Sequence, residues 1–254
     1  MNYDAMYRNR KMWEEHKQDE LVKSKIPIIM DWIPRDVKTI LDVGCGNGII
    51  TNALAEKFDV TGTDFSAEAL EFIKGKKVQA SADHLPFPDQ SFDLVFSSEL
   101  LEHLPEDILQ GALEEMKRVT KGYLFITVPN QEFLPKNFIK CPHCQAVFHV
   151  YGHLNSFKTS DLDHRIGPGF QRFMQGTFGP KERKYNRFLL SIRHDIADRW
   201  FQASENTICP NCGNKEFPAR KGNLISKLCN GLNLLISGKM KYWLFLFYDR
   251  KDFS

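Results

Sequence analysis

Apolar positions follow two regimes that meet near Pro129. Before it, short continuous apolar runs alternate with stretches of helical period. The runs "KTILDVG" (38–44), "FDVTGTD" (58–64), "KVQASA" (77–82), "SFDLVFSS" (91–98) and "GYLFITVPN" (122–130) read as strands. Between them "GIITNALAEK" (48–57), "SAEALEFIKG" (66–75) and "PEDILQGALEEMKRV" (105–119) read as helices, the second with Ser66 as N-cap and Glu68 and Glu71 in its first turns. Five strands apolar on both faces and separated by helices predict a parallel, doubly wound α/β sheet. Residues 1–33 precede it as one or two polar helices, with Trp13, Leu21, Ile26, Ile29, Met30 and Trp32 as inward positions.

After Pro129 the alternation stops. Gly-Pro turns stand at "IGPG" and "FGPK", helices are expected at 183–201 and around 221–237, and "FQRFMQGTF" (170–178) and "KYWLFLFYDRK" (241–251) read as strands that finish the sheet. The expected organisation is an N-terminal helical flank or lid at 1–33, a cofactor core at 34–130, a substrate-side insertion with the sixth strand at 131–240, and a closing strand at 241–254.

With 42% hydrophobic and 26% charged residues, the 254-residue chain has the composition of an ordinary globular protein. Its start has no apolar leader and its longest apolar run, "YWLFLFY", is too short to span a bilayer, so a cytoplasmic protein is expected. The net charge of +2 conceals an asymmetry: residues 1–130 carry 15 Lys+Arg against 22 Asp+Glu, and residues 131–254 carry 19 against 10. An anionic partner would meet the second half.

The candidate chemistry begins with "LDVGCGNGII", where Gly44, Gly46 and Gly48 follow a buried strand and open a helix. Such a turn brings backbone close to a bound cofactor. The next strand ends in Asp64, whose carboxylate can accept from both hydroxyls of a ribose. Together with "VTGTDFS" and "SADHLPFPDQSFDLVFSSELLEHLPED", this loop resembles the class I S-adenosylmethionine-dependent methyltransferases, in particular the type 11 small-molecule group, over about residues 38–130.

That resemblance implies a Rossmann-like sheet of order 3-2-1-4-5-7-6, helices on both faces and an antiparallel seventh strand. It places the Gly44–Gly48 loop, Cys45 included, against the methionine and sugar of the cofactor, Asp42 at its amino group, Asp64 at the ribose, Phe65 beside the adenine, and Asp83 at the adenine amino group with the His84 backbone alongside. Ser98 completes the cofactor set. The side chain of Cys45, like that of Cys229, reads as a small packing group.

Substrates of open α/β sheets sit at the carboxyl ends of the strands, so "SSELLEHLP" faces the transferred methyl. His103 is the candidate general base for an acceptor hydroxyl, with Glu99 as a second candidate; the alternative is that His103 only shapes the pocket. Tyr3, Tyr7 and Trp13 either close over the cofactor or pack as a plain helix.

Two Cys-Pro-x-Cys pairs, Cys141/Cys144 and Cys209/Cys212, supply the four thiolates of a structural zinc site. The 64 residues between the pairs exceed the spacing of a compact ribbon. Replacement of one thiolate by His143, His149 or His153 is an alternative, although the later histidines are expected nearer the pocket. The segment "CPHCQAVFHVYGHLNSF" resembles a "CPxCG…FH..GH..SF" insertion found after the fifth strand in some bacterial methyltransferases, with Gln145 where glycine is expected.

These features lead to methyl transfer from S-adenosylmethionine to an oxygen or nitrogen of a small or carbohydrate-like acceptor, with Zn2+ as a structural ion. An RNA-directed methyltransferase that uses the basic half, and a non-catalytic cofactor-binding scaffold, are the rival readings.

Overall fold

The computed structural model describes residues 7, 10–15, 19–204, 206–219 and 221–251. Seven strands form one sheet: β1 (Thr39–Val43), β2 (Asp59–Asp64), β3 (Lys76–Gln79), β4 (Phe92–Ser98), β5 (Thr120–Pro129), β8 (Phe170–Arg183) and β9 (Lys239–Arg250). Their order is β3-β2-β1-β4-β5-β9-β8. β1 to β5 are mutually parallel, and β9 enters antiparallel between β5 and β8. In sheet strands alone this is the order 3-2-1-4-5-7-6 with the last strand reversed, as expected. Two short strands, β6 (Phe138–Lys140) and β7 (Val147–His149), form a separate antiparallel hairpin.

The continuous apolar strands have their physical reason in two cores, one on each face of the sheet. On one face Leu41, Val95, Leu124 and Leu246 pack against Leu109, Leu113 and Met116 of α6 (Glu106–Val119) and Leu162 of α7 (Thr159–Ile166). On the other, Ile40, Phe96, Phe125 and Phe245 meet Ile29 of α3 (Ile26–Trp32) and Leu54 of α4 (Ile49–Leu54). Ahead of α3 lie the short helices α1 (Arg10–Glu15) and α2 (Glu20–Lys23). The Ser66 hydroxyl accepts from the Ala69 amide and caps α5 (Ala67–Leu70), which ends sooner than the expected 66–75.

One expected element is corrected. The helix at 183–201 reduces to α8 (Arg187–Ser191) followed by a wide π-type turn at Ile192–Ile196. The start of that helix is spent on the sheet, because β8 runs on past the Gly179 bulge to pair Arg183 with Lys239 of β9, and the Lys184 amide donates to the Gly238 carbonyl. Asn186 then caps α8 from its side chain. The last helix, α9 (Leu224–Ile236), stands where it is expected. Among the described residues no helix is long and apolar enough to cross a membrane.

Candidate active site

The turn after β1 is built for close approach. Gly44, Gly46 and Gly48 all have left-handed backbone, with φ of 73°, 50° and 73°. Side chains are excluded as well: a Cβ at Gly44 would lie 2.8 Å from the Leu100 side chain, and one at Gly48 2.4 Å from Ile73 Cδ1. Such dense surroundings leave the backbone itself as the surface presented to a ligand. Two amides, of Gly44 and Cys45, donate to the Thr63 carbonyl at 2.8 and 3.0 Å and pin the turn to the end of β2.

Asp64 ends that strand at 8% exposure. Its Oδ2 accepts from the Gly46 amide and its Oδ1 from the Ser66 amide, both at 2.9 Å. Burial raises its pKa, opposed by these backbone donors. Each carboxylate oxygen retains a lone pair, so the two amides orient the group without exhausting it. Asp42 lies deeper, takes the Thr51 hydroxyl at 2.7 Å, and is pushed up to about 7 by burial. The Cys45 thiol faces β2, where a Cβ on Gly62 would come within 3.0 Å of it, and burial pushes it well up.

Phe65 is 40% exposed beside the loop. Asp83 lies 3.0 Å from His84 Nδ1 and accepts from the Ser81 hydroxyl; burial raises its pKa, but these hydrogen bonds outweigh it and lower the carboxyl overall. Gly111 of α6 closes on Asp83 from behind, since a Cβ there would lie 2.8 Å from Asp83 Cβ.

The N-terminal segment lies across this cleft. Trp13 sits over Gly46, 3.1 Å from where a Cβ would be, and its carbonyl accepts from Asn47 Nδ2. Tyr7 spans the gap: its ring meets Phe65 edge-on at 5.8 Å, and its hydroxyl hydrogen-bonds His103 Nδ1 at 2.7 Å. Tyr3 lies outside the described residues.

At the tips of β4 and β5 the candidates separate into two groups. Ser98 accepts from the Thr127 hydroxyl at 2.8 Å and from the ammonium of Lys25 at 3.2 Å. Lys25 is 1% exposed, ion-paired to Glu99 at 3.2 Å and 4.3 Å above the Trp243 ring. Glu99, in left-handed backbone, also accepts from the Trp243 indole at 3.1 Å. Ser98 and Glu99 therefore belong to a cation-centred buried cluster, and Glu99 has its carboxylate engaged.

His103 heads the other group. Its ring stands 4.7 Å from that of His153, which stacks on His149 at 4.5 Å. Glu132 ties these two together: His153 Nδ1 lies 2.5 Å from one carboxylate oxygen and His149 Nε2 3.2 Å from the other. The amides of Tyr151 and His153 point at His149 Nδ1, which fixes that nitrogen as an acceptor and Nε2 as the donor to Glu132. Burial lowers the pKa of His103 well below the usual imidazole range. Burial also raises that of Glu102, beside it, far above the usual carboxyl range.

The four cysteines of the two pairs converge despite the 64 residues between them. Sγ of Cys141 lies 3.7 Å from that of Cys212, and Sγ of Cys144 3.6 Å from that of Cys209, with all four within 4.8 Å of one another. Thiolates about 2.3 Å from a tetrahedral ion stand about 3.8 Å apart, so this set fits one zinc ion. The two knuckles are copies in backbone terms. Cys141 N donates to Ala146 O and Gln145 N to Cys141 O; Cys209 N donates to Asn214 O and Gly213 N to Cys209 O. Gln145 and Gly213 occupy the same left-handed position, at φ of 61° and 74°, so glutamine performs the turn expected of glycine. His143, His149 and His153 are not members of this thiol cluster.

Lys25, Glu132 and Trp243 escaped the reading of the sequence. Glu132 has a faint signal as the first acid after "VPNQ". Lys25 has none, since its partners Ser98, Glu99 and Trp243 are brought to it from distant parts of the chain.

Residues 41–126 match the family model described as a methyltransferase domain. The chain carries a methyltransferase domain. The chain is 35% identical over 126 residues to an uncharacterized protein of Methanocaldococcus jannaschii, covering 48% of this chain and 54% of that protein. It is 31% identical over 136 residues to a ubiquinone biosynthesis O-methyltransferase of Aromatoleum aromaticum, covering 48% of this chain and 58% of that one. The chain thus spans about half the length of these curated relatives. In fold, the chain superposes on a SAM-dependent methyltransferase of Archaeoglobus fulgidus with a TM-score of 0.54 and 17% identity, covering 91% of this chain and 94% of that one.

Proposed function

We propose that the protein transfers a methyl group from S-adenosylmethionine to an oxygen or nitrogen of a small or carbohydrate-like acceptor, in the cytoplasm, with one structural zinc ion held by Cys141, Cys144, Cys209 and Cys212. The observation that carries this reading is Tyr7, which touches both Phe65, assigned to the cofactor side, and His103, assigned to the acceptor side, and so supports a meeting of the two reactants there.

When bound, the cofactor supplies an electrophilic methyl on sulfur. The backbone of Gly44–Gly48 and the carboxylates of Asp42 and Asp64 hold it, Phe65 flanks its base, and Asp83 with the His84 backbone reads the base's edge. Most of the acceleration then comes from holding the acceptor in line. Burial keeps the His103 imidazole neutral near pH 7, the form that can take a proton from an acceptor hydroxyl. Tyr7 stands on the nitrogen that would do so, and an incoming acceptor hydroxyl would replace it there. Glu132 fixes His153 against His103 and so sets the shape of the acceptor side. The zinc knuckles anchor the hairpin that delivers His149 and His153.

Calorimetry of S-adenosylmethionine on metal-analysed protein tests both parts. Micromolar binding and one zinc per chain are expected, with Asp64→Ala weakening the cofactor by about 10- to 100-fold through loss of charged hydrogen bonds. Undiminished binding by the variant would remove the assigned site. His103→Gln should lower kcat by about 100-fold with cofactor affinity unchanged; an unaltered kcat would reduce His103 to a wall of the pocket.

A further inference from the structure

Helix α9 is packed the wrong way round for a helix facing water. Its inward face consists of Ser226, Cys229 and Asn233, all under 5% exposed. Asn233 is fully engaged there, donating to the Lys184 carbonyl and accepting from the Asn186 amide and the Ser237 hydroxyl. At 100° per residue, Leu224, Ile225, Leu228, Leu232, Leu235 and Ile236 share one arc of about 120° on the outside. They are 40% to 83% exposed. Phe188 of α8, at 72%, and Ile196 of the turn after it, at 67%, belong to the elements packed beside α9 and enlarge the apolar surface.

A single exposed leucine needs no explanation, but a contiguous face of this kind marks an interaction surface. Charge identifies what meets it. From Phe217 to Tyr248 the chain has no Asp or Glu. Lys221, Lys227 and Lys239, within or flanking α9, are exposed and have no ion-pair partner among the described residues. The carboxylates of the adjoining turn are engaged locally, Asp195 by the Ser191 hydroxyl and Asp198 by the Trp200 indole, both at 2.8 Å. The far end of the helix is also prepared for an apolar setting, since Arg183 donates to the carbonyls of Leu234 and Ser237 that would otherwise be left open.

We infer that α9 lies in the plane of an anionic lipid bilayer surface, its leucine face in the acyl boundary and its lysines among the headgroups. A basic rim around an apolar helix face is the chemistry of an interfacial helix, and lysine stems can extend from the apolar layer to the charged one. A second copy of this chain is the poorer occupant, because self-pairing would set lysine rim against lysine rim. The inference does not depend on the methyl-transfer reading.

The test is flotation of the full-length, metal-loaded protein with vesicles of phosphatidylcholine alone or mixed with phosphatidylglycerol. Binding to the anionic vesicles only is expected, with release by salt. Leu228→Ser, Leu232→Ser and Leu235→Ser combined should abolish it. Lys227→Ala and Lys239→Ala should each reduce it roughly fivefold. All five positions are exposed, so the variants should keep wild-type cofactor affinity and zinc content, which are measured alongside. Equal binding to neutral vesicles, or binding by the triple leucine variant at the wild-type level, would overturn the inference. So would a chain that ignores vesicles but changes from dimer to monomer in light scattering when the leucines are replaced, which would give the face to a second copy.

Discussion

In the sheet half, Leu41, Val95, Leu124 and Phe125 are sealed from solvent between two layers of helices. Around the two knuckles, burial gathers on Ile139, Cys141, Phe148, Val150 and Cys209, a core too small to hold 138–150 and 201–217 by itself. The sheet is held by area; with the zinc proposed above, the knuckles would be held by four metal–sulfur bonds and the hydrogen bonds around them. Apolar burial is distributed and tolerates the loss of one member, whereas a metal centre concentrates stability at one point, so the two halves should fail differently.

The largest effect should follow removal of a ligand. Cys209→Ser, or chelation of the wild-type protein, should release the zinc and cost the insertion more than about 3 kcal/mol locally. In hydrogen exchange, 138–149 and 200–217 should lose protection while β1, β4 and β5 keep theirs; uniform loss in both halves would erase the contrast. Next comes Gly48→Ala, which combines left-handed backbone with a collision 2.4 Å from Ile73 Cδ1. It should cost about 2–3 kcal/mol in urea unfolding and weaken cofactor binding, with zinc content unchanged.

A charge in the sheet half gives a smaller, pH-dependent effect. Asp93 accepts from the Lys38 and Thr39 amides and from Lys121; although burial raises its pKa, these bonds outweigh it and hold it at about 2, against 3.8 for a free side chain. Its stabilisation is therefore complete above 3.8 and fades as pH falls through about 2. Asp93→Asn should cost about 1–2 kcal/mol at pH 7 after allowance for screening. The two unfolding curves should converge in strong acid, and a constant gap would assign the loss to packing. The smallest effects concern the twin knuckles. Gln145→Gly should stabilise and Gly213→Ala destabilise the zinc-bound insertion, each by about 1 kcal/mol, because nothing approaches a Cβ at Gly213 and only its φ of 74° is at stake. Competition with a chelator measures both.

How much could be read beforehand follows from where each feature's physics lies. Strands β1, β2, β4 and β5 were legible because burial on both faces leaves a continuous apolar run, whereas β3 is an exposed edge strand and lacks that run. The turn at Gly44–Gly48 was legible because its work is done by backbone that only glycine permits. The cysteine pairs could be recognised, but not the way 64 intervening residues bring them together. The expected helix 183–201 begins only at Arg187 because Arg183 and Lys184 stay tied to Lys239 and Gly238, which outweighs their helical propensity. Periodicity located α9 yet could not tell which face turns inward. Lys25 and the pairing of Glu132 with His149 and His153 are products of tertiary closure, which a linear pattern does not encode.

Strand β9 has a consequence for how the molecule comes into being. It comes last among the strands in sequence, yet it sits inside the sheet, and among the described residues β8 has no other strand beside it. On the ribosome, β1 to β5 can assemble as they emerge, but the edge of β5 stays open and β8 stays unpaired until residues 239–250 are released. During that interval an exposed strand edge, with Phe125, Ile126 and Val128 along it, is open to other chains. If the knuckles, which precede β9, hold zinc as proposed, its early capture would shorten the loop that the final strand has to close, and metal supply during synthesis would then govern yield as well as final stability.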